Sequence, residues 1–247
     1  MVHGPGTRLH IGTSGWHYTH WKGTFYPGVT GAGDFLAYYA GKFSTVEINN
    51  TFYHLPSDTT LQQWQQTVPA DFRFAVKASR FITHMKKLKD GAATFQQFQQ
   101  KIDVLGTNLG PVLFQLPPGW RCNPERLKDF LDTLPAGYRY AFEFRDASWF
   151  TDEIAALLSG KNAAFCIYEL NGRRSPDTVT ADFIYIRLHG PGGAYEGRYG
   201  RAGLIPWVEK ITGWLRDGRE VFIYFDNDEA GYAAQDALEM QIMISTA

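Results

Sequence analysis

The sequence predicts a closed (β/α)₈ barrel, the TIM-barrel arrangement, as one domain over residues 1–247. Three observations carry this expectation. Eight short apolar runs, rich in β-branched and aromatic residues, recur along the chain and are bounded by Gly, Pro, Asn or Asp. Helix-like segments separate nearly all of them. The length of 247 residues, with no linker or break in composition, is that of one such barrel. The competing architecture is a doubly wound open sheet.

In order, the expected strands are Leu9–Thr13, Thr45–Thr51, Arg73–Ser79, Gly110–Leu116, Arg139–Arg145, Ala163–Glu169, Phe183–His189 and Glu220–Asp226. The expected helices are Phe35–Phe43, Thr59–Thr67, Ala92–Leu105, Pro124–Leu134, Asp152–Leu158, Leu204–Arg216 and Glu229–Met240. Asp34 and Asp58 precede helices as N-caps should, and Asn123-Pro124 reads as N-cap followed by first-turn proline. The connection from Asn171 to Ala181 carries no helical pattern.

Composition narrows the function classes. The net charge of −1 supplies no global attraction to nucleic acid or anionic membranes, so any anion-binding surface must be local. Cys122 and Cys166 form neither a CxxC pair nor a zinc spacing and read as reduced, buried side chains. Residues 1–8 contain no hydrophobic signal core, and no apolar run is long enough to span a membrane. The expectation is a cytoplasmic protein with no membrane partner; nothing in the sequence fixes its oligomeric state.

Alternation within the strands points to a site. In a barrel one strand face meets the helices and the other faces the lumen. Val46 and Ile48 take the apolar parity in strand two, leaving Glu47 and Asn49. Strand three leaves Lys77 and Ser79, strand four Gln115, and strand five Glu143 and Arg145. Strand seven leaves Tyr185, Arg187 and His189, and strand eight Tyr224 and Asp226. These polar positions cluster toward the C-terminal strand ends, where barrels of this kind place their sites. Charges gathered in a barrel must pair, stay hydrated or hold a ligand.

Glu47, Glu143 and His189 are the candidate catalytic residues, His189 because imidazole titrates near neutral pH. Asn49, Lys77, Gln115, Arg145, Arg187, Gly192, Asp226 and Asn227 are candidate ligand contacts. The cations suit phosphate or carboxylate, and Gly190-Pro191-Gly192-Gly193 lies where barrels often expose backbone N–H groups to phosphate. A divalent metal on Glu47, Glu143, His189 and Asp226 is conceivable but not favoured, because three cations share the mouth and no HExxH spacing exists. Gly12-Thr13-Ser14-Gly15 does not match a serine-nucleophile elbow. The stretch Arg80–Lys89 adds basic groups to the rim. Trp16, His17, Tyr18, Trp21, Phe25, Tyr26, Trp120, Trp149, Tyr195 and Tyr199 supply aromatic rings for stacking or for loop packing.

Three functions compete. The first is an enzyme acting on a phosphate-containing ligand, with a nucleic-acid phosphodiester included. The second is a non-catalytic nucleic-acid-binding module using the basic, aromatic rim. The third is a glycoside hydrolase built on Glu47 and Glu143, which requires two carboxyl groups facing one sugar.

Several segments together resemble a known family. They are Gly12–Trp16, Trp21 with Gly23 and Phe25-Tyr26-Pro27, Thr45–Tyr53, Ile82-Thr83-His84, Leu113–Pro118, Phe142–Arg145 with Ser148-Trp149, Arg187–Gly190 and Tyr224–Asp228. In this order they are similar to the YecE-like proteins, domain of unknown function 72. The resemblance implies a TIM barrel and no established activity. The chain departs from that pattern twice: Tyr168-Glu169-Leu170 stands where Asp is common after strand six, and Asp226 stands where Asn is frequent.

Overall fold

A computed structural model describes residues 8–28 and 31–246. Of residues 1–8, expected to hold no signal core, residues 1–7 lie outside the described residues. Eight parallel strands form the sheet: β1 (Leu9–Thr13), β2 (Thr45–Ile48), β3 (Arg73–Lys77), β4 (Leu109–Gln115), β5 (Tyr140–Glu143), β6 (Ala164–Leu170), β7 (Phe183–Leu188) and β8 (Glu220–Phe225). Each pairs with its sequence neighbour from β2 through β8, and β8 pairs back onto β1. The ring closes where Ser14 bridges Glu47 and the Gly15 N–H donates to the Glu47 carbonyl at 2.8 Å. The open sheet is excluded.

That last seam is unlike the others. Between β1 and β2 the Tyr39 hydroxyl accepts from the Thr13 N–H (2.8 Å) and donates to the Thr45 carbonyl (3.1 Å). A phenol thus completes a ladder that the two strands do not complete themselves. Gly12 permits the approach, since a Cβ there would lie 2.2 Å from the Thr45 carbonyl oxygen.

Among the described residues, seven α-helices surround the ring: α1 (Phe35–Ala40), α2 (Asp58–Thr67), α3 (Gly91–Ile102), α4 (Pro124–Thr133), α5 (Asp152–Ser159), α6 (Gly200–Arg216) and α7 (Tyr232–Ser245). As expected, no helix links β6 to β7; a two-residue antiparallel strand, Arg173–Arg174, folds back on the end of β6 instead. Asn123 caps α4 by accepting from the Arg126 N–H. The cap of α2 is Ser57, accepting from the Thr60 N–H, so Asp58 belongs to the first turn, where its charge still favours the helix dipole. Asp34 precedes α1 without capping it through its side chain.

The strand parity is as the sequence implies. Val46, Ile48, Phe74, Val76, Val112, Phe114, Phe142, Phe144, Ile184, Ile186, Val221 and Ile223 join the outer core beneath the helices. A separate inner core fills the lumen, with Ala75, Leu113, Ala141, Ala164 and Cys166 facing Phe183, Tyr185, Phe222 and Tyr224. Small residues on β3, β5 and β6 make room for large rings on β7 and β8, which is how a narrow barrel packs without voids. At the N-terminal end, Glu220 joins His10 (2.8 Å) and Arg139 (2.6 Å), and the His10 ring stacks on Phe222. The inner core therefore has charge at both ends, and the site lies above it.

Candidate active site at the barrel mouth

Directly above the Tyr185 layer stands Arg187, with its guanidinium on the barrel axis side of β7 and 1% of its surface exposed. Its Nε and Nη2 donate to the Glu47 carboxylate at 2.8–3.1 Å, its Nη1 to Glu143 at 2.8 Å, and its Nη2 also to Asp226 at 3.0 Å. Carboxylates from β2, β5 and the end of β8 thus meet on one arginine. The Ser14 hydroxyl (2.6 Å) and the Tyr185 hydroxyl (2.7 Å) complete the shell of Glu47.

Arg145 adds a second layer. Its Nε binds Glu143 and its Nη2 lies 3.1 Å from His189 Nε2, while the Tyr168 ring covers the guanidinium. Because Arg145 and Arg187 both direct N–H groups at Nε2, the imidazole accepts there and carries its proton on Nδ1. Nδ1 sits 3.0 Å from Asp226 Oδ2, in a contact that is close but poorly aligned.

The charges explain the protonation states. Burial lowers the pKa of His189 and Arg187 lowers it further, so the imidazole is neutral near pH 7. Burial opposes the charge on Glu143, but Arg145 and Arg187 outweigh it and hold the carboxyl well below its usual range. Asp226 follows the same logic: burial works against its charge, and Arg187 and His189 overcome it. Burial also pushes the Cys166 thiol well up, beneath Glu143.

Lys77 is the exception. It lies at the end of β3, half-buried, and makes no ion pair among the described residues. Its Nζ rests 4.5 Å from the centre of the Phe52 ring. Burial, followed by repulsion from Arg187, lowers its pKa to about 8. His84, edge-on to the same Phe52 ring, is lowered to about 4 by burial and by Lys77 and Arg80, so it adds no positive charge at neutral pH.

The structure thus brings together Glu47, Glu143, Arg145, Arg187, His189 and Asp226, with Lys77 beside them. Four other candidates stand apart. Asn49 opens a 3₁₀ turn, ending β2 at Ile48, and enters a side cleft with Trp16, His17 and Tyr18. Gln115 folds back to donate to the Leu116 carbonyl. The buried Asn227 amide turns away from the mouth and donates to the Gly197 carbonyl and to Asp236. Gly192 is exposed in a loop where the Glu196 carboxylate already lies against Gly193, which disfavours an anion on that backbone.

Arg187, Glu47, Glu143 and His189 are together, but each is at most 1% exposed, and the first three are bonded to one another. They hold the mouth's geometry, while atoms with spare valence reach it from Lys77, Arg145 and Asp226. Arg145 Nη1 and Asp226 Oδ1 have no hydrogen-bond partner among the described residues. No three His, Cys, Asp or Glu side chains among the described residues are grouped as a metal would require.

Sequence reasoning missed two organisers. Ser14, considered only as a nucleophile, is a ligand of Glu47. Asp236 in α7 is fully buried and accepts from the Tyr199 and Gly200 N–H groups at the start of α6, fixing the loop that follows β7. An acid inside the small-residue run Ala233-Ala234-Gln235-Asp236-Ala237 was the available signal. Tyr195 in that loop, 47% exposed and with φ of +68°, stands edge-on over His189 and covers the network. Trp16, Trp21, Phe25, Tyr26, Trp149 and Tyr199 are buried packing residues rather than stacking faces. Cys166 is buried as expected, whereas Cys122 is only half-buried; both are free thiols.

Fold and site together define a (β/α)₈ barrel whose mouth is floored by an arginine-centred cluster of buried charges. A family model described as "Protein of unknown function DUF72" matches residues 10–247, and the chain belongs to that family. It is 25% identical over 272 residues to the UPF0759 protein YunF of Bacillus subtilis (strain 168), covering 94% of this chain and 93% of that one. It is 30% identical over 145 residues to the UPF0759 protein YecE of Escherichia coli (strain K12), covering 58% of this chain and 50% of that one. The crystal structure of a DUF72 family protein (TM1631) from Thermotoga maritima superposes with a TM-score of 0.86 at 28% identity, over 96% of this chain and 99% of that one. A DUF72 family protein (EF0366) from Enterococcus faecalis, 19% identical, shares the fold with a TM-score of 0.82 over 97% and 96% of the two chains.

Proposed function

We propose that this chain is an enzyme that binds a small phosphate-containing ligand at the barrel mouth. The observation that carries the reading is the pairing of a neutralised floor with two free cationic heads. The three carboxylates of Glu47, Glu143 and Asp226 match the three cations of Arg187, Arg145 and Lys77, so the floor is neutral as a whole. Lys77 Nζ and Arg145 Nη1 remain for an incoming anion, and Asp226 Oδ1 supplies a carboxylate beside them. His189 and Arg187 hold Arg145 and Asp226 in place, and groups fixed before the ligand arrives cost little to orient when it binds.

Calorimetric titration with inorganic phosphate and a panel of phosphate esters tests this. Binding in the wild type that falls about tenfold or more in Arg145→Gln, as expected when a charge-assisted bond of 1.5–3 kcal/mol (roughly) is lost, supports it. No binding to any member of the panel overturns it.

The second reading, nucleic-acid binding, draws on the rim. Tyr53, Phe81 and Met85 are exposed there, beside Arg80, Lys86, Lys87 and Lys89. It requires affinity for single strands that weakens steeply with salt. Absent or salt-indifferent binding removes it. The glycosidase reading draws no support from the site: Glu47 and Glu143 share one guanidinium, both are fully buried, and neither presents an oxygen to a sugar.

A further inference from the structure

Four lysines among the described residues are half-buried: Lys77, Lys86, Lys101 and Lys210. The last three are paired with Asp90, Asp58 and Asp177. Lys77 alone of the four has no carboxylate partner, and it is the one that faces the mouth. Its Nζ meets an aromatic face in place of a carboxylate. The Phe52 face lies beneath Nζ, and His84 packs edge-on against the same ring. The residues immediately beyond β3 form a π-helical turn, Phe81–Met85, an uncommon geometry that often accompanies functional sites. Of the floor charges, the Arg187 cation opposes protonation of Lys77 most, while Glu143, Glu47 and Asp226 favour it.

We propose that Lys77 is a nucleophilic amine that forms an imine with the carbonyl group of a phosphorylated aldehyde or ketone. The proposal rests on the reading of the mouth as a phosphate site, and it names the substrate class. The Lys77 nitrogen lone pair attacks the carbonyl carbon, forming the C–N bond and moving the π electrons onto oxygen. Asp226 Oδ1 carries one proton from the nitrogen to the alkoxide, giving a neutral carbinolamine; it then carries the second nitrogen proton to the hydroxyl, which leaves as water as the C=N bond forms. No oxidant or reductant enters. The phosphate of the same molecule falls to Arg145 Nη1, because Lys77 gives up its charge on bonding. The charges that set the proton affinity of Lys77 are Arg187 on β7, Glu47 on β2, Glu143 on β5 and Asp226 beyond β8; His84 beyond β3 shares the Phe52 ring but is neutral.

The test uses the full chain with pyridoxal 5′-phosphate, an aldehyde that carries a phosphate, followed by borohydride reduction and peptide mapping by mass spectrometry. The expected result is one dominant labelled peptide containing Lys77, formed roughly tenfold or more faster than label at any surface lysine, whose neutral fraction near pH 7 is far smaller. The labelling rate rises with a midpoint near pH 8. Label at this position is lost in Lys77→Arg, which keeps the cation and so guards against loss by misfolding. Pyridoxal, which lacks the phosphate, separates the two readings. Selective labelling of Lys77 by both aldehydes, with no protection by inorganic phosphate, supports the amine and removes the phosphate site. Label spread over Lys86, Lys101, Lys210 and exposed lysines without preference for Lys77 overturns the proposal.

Discussion

At the scale of single residues, the mouth divides into groups that hold and groups that are free. Glu143 belongs to the first kind, since it neutralises Arg187 and Arg145 at once. Removing one partner of a buried ion pair strands the other charge, at a cost of about 3–5 kcal/mol. Glu143→Gln is therefore expected to lose roughly that much in urea unfolding, far more than Asp90→Asn, since Asp90 is exposed beside Lys86. Lys77 behaves in the opposite way. Its folded pKa of about 8 lies below the value of a free lysine, so the folded state binds fewer protons than the unfolded one between those values. Its burial as a cation is a full cost below pH 8 and fades as pH rises toward the free value. Lys77→Met is expected to be more stable than the wild type at pH 7, and the difference between the two is expected to shrink by pH 10. A difference that stays constant or grows over that range contradicts the assignment of the unpaired ammonium.

At the scale of elements, the strands were legible and their ends were not. Alternation of apolar and polar residues fixes which side chains enter the lumen, and Glu47, Glu143, Arg145 and Arg187 follow from it directly. The pattern fails where backbone direction changes within one residue. Asn49 has the right parity, but its φ and ψ of −96° and −25° begin a turn, so parity ceases to apply. Asn227 fails for another reason: its partner Asp236 comes from a helix that no local pattern connects to it. The departure at position 226 also gains a physical meaning: its carboxylate binds Arg187, where a neutral side chain would leave the cations in excess. The β1–β2 seam was invisible too, since a tyrosine in α1 gives no hint that its hydroxyl serves a strand pair. Tyr39→Phe leaves the buried Thr13 N–H and Thr45 carbonyl without that partner, and an expected loss of about 1–3 kcal/mol is measurable by chemical denaturation. Gly190 sets the loop that carries Tyr195. A Cβ there, at φ of +108°, would lie 2.1 Å from the Glu196 carbonyl oxygen, so Gly190→Ala is expected to displace the cover over His189. Quenching or shift of the Tyr195 signal in NMR would register the change.

At the scale of the whole molecule, the floor of the mouth draws its members from β2, β5, β7 and the end of β8, positions spread over 47–226. The first strand meanwhile rests against the last. This arrangement has a bearing on how the protein is made. While the ribosome is still adding residues, the early carboxylates have no arginine to meet, and the N-terminal strand has no neighbour on one flank. Partial products are expected to stay open and hydrated, and a chain stopped at residue 219 to be cleaved readily by protease. Once the final strand emerges, the ring and the charge cluster can be completed in one step. Assembly of the pocket is thereby tied to completion of synthesis, so that no fragment carries a working mouth.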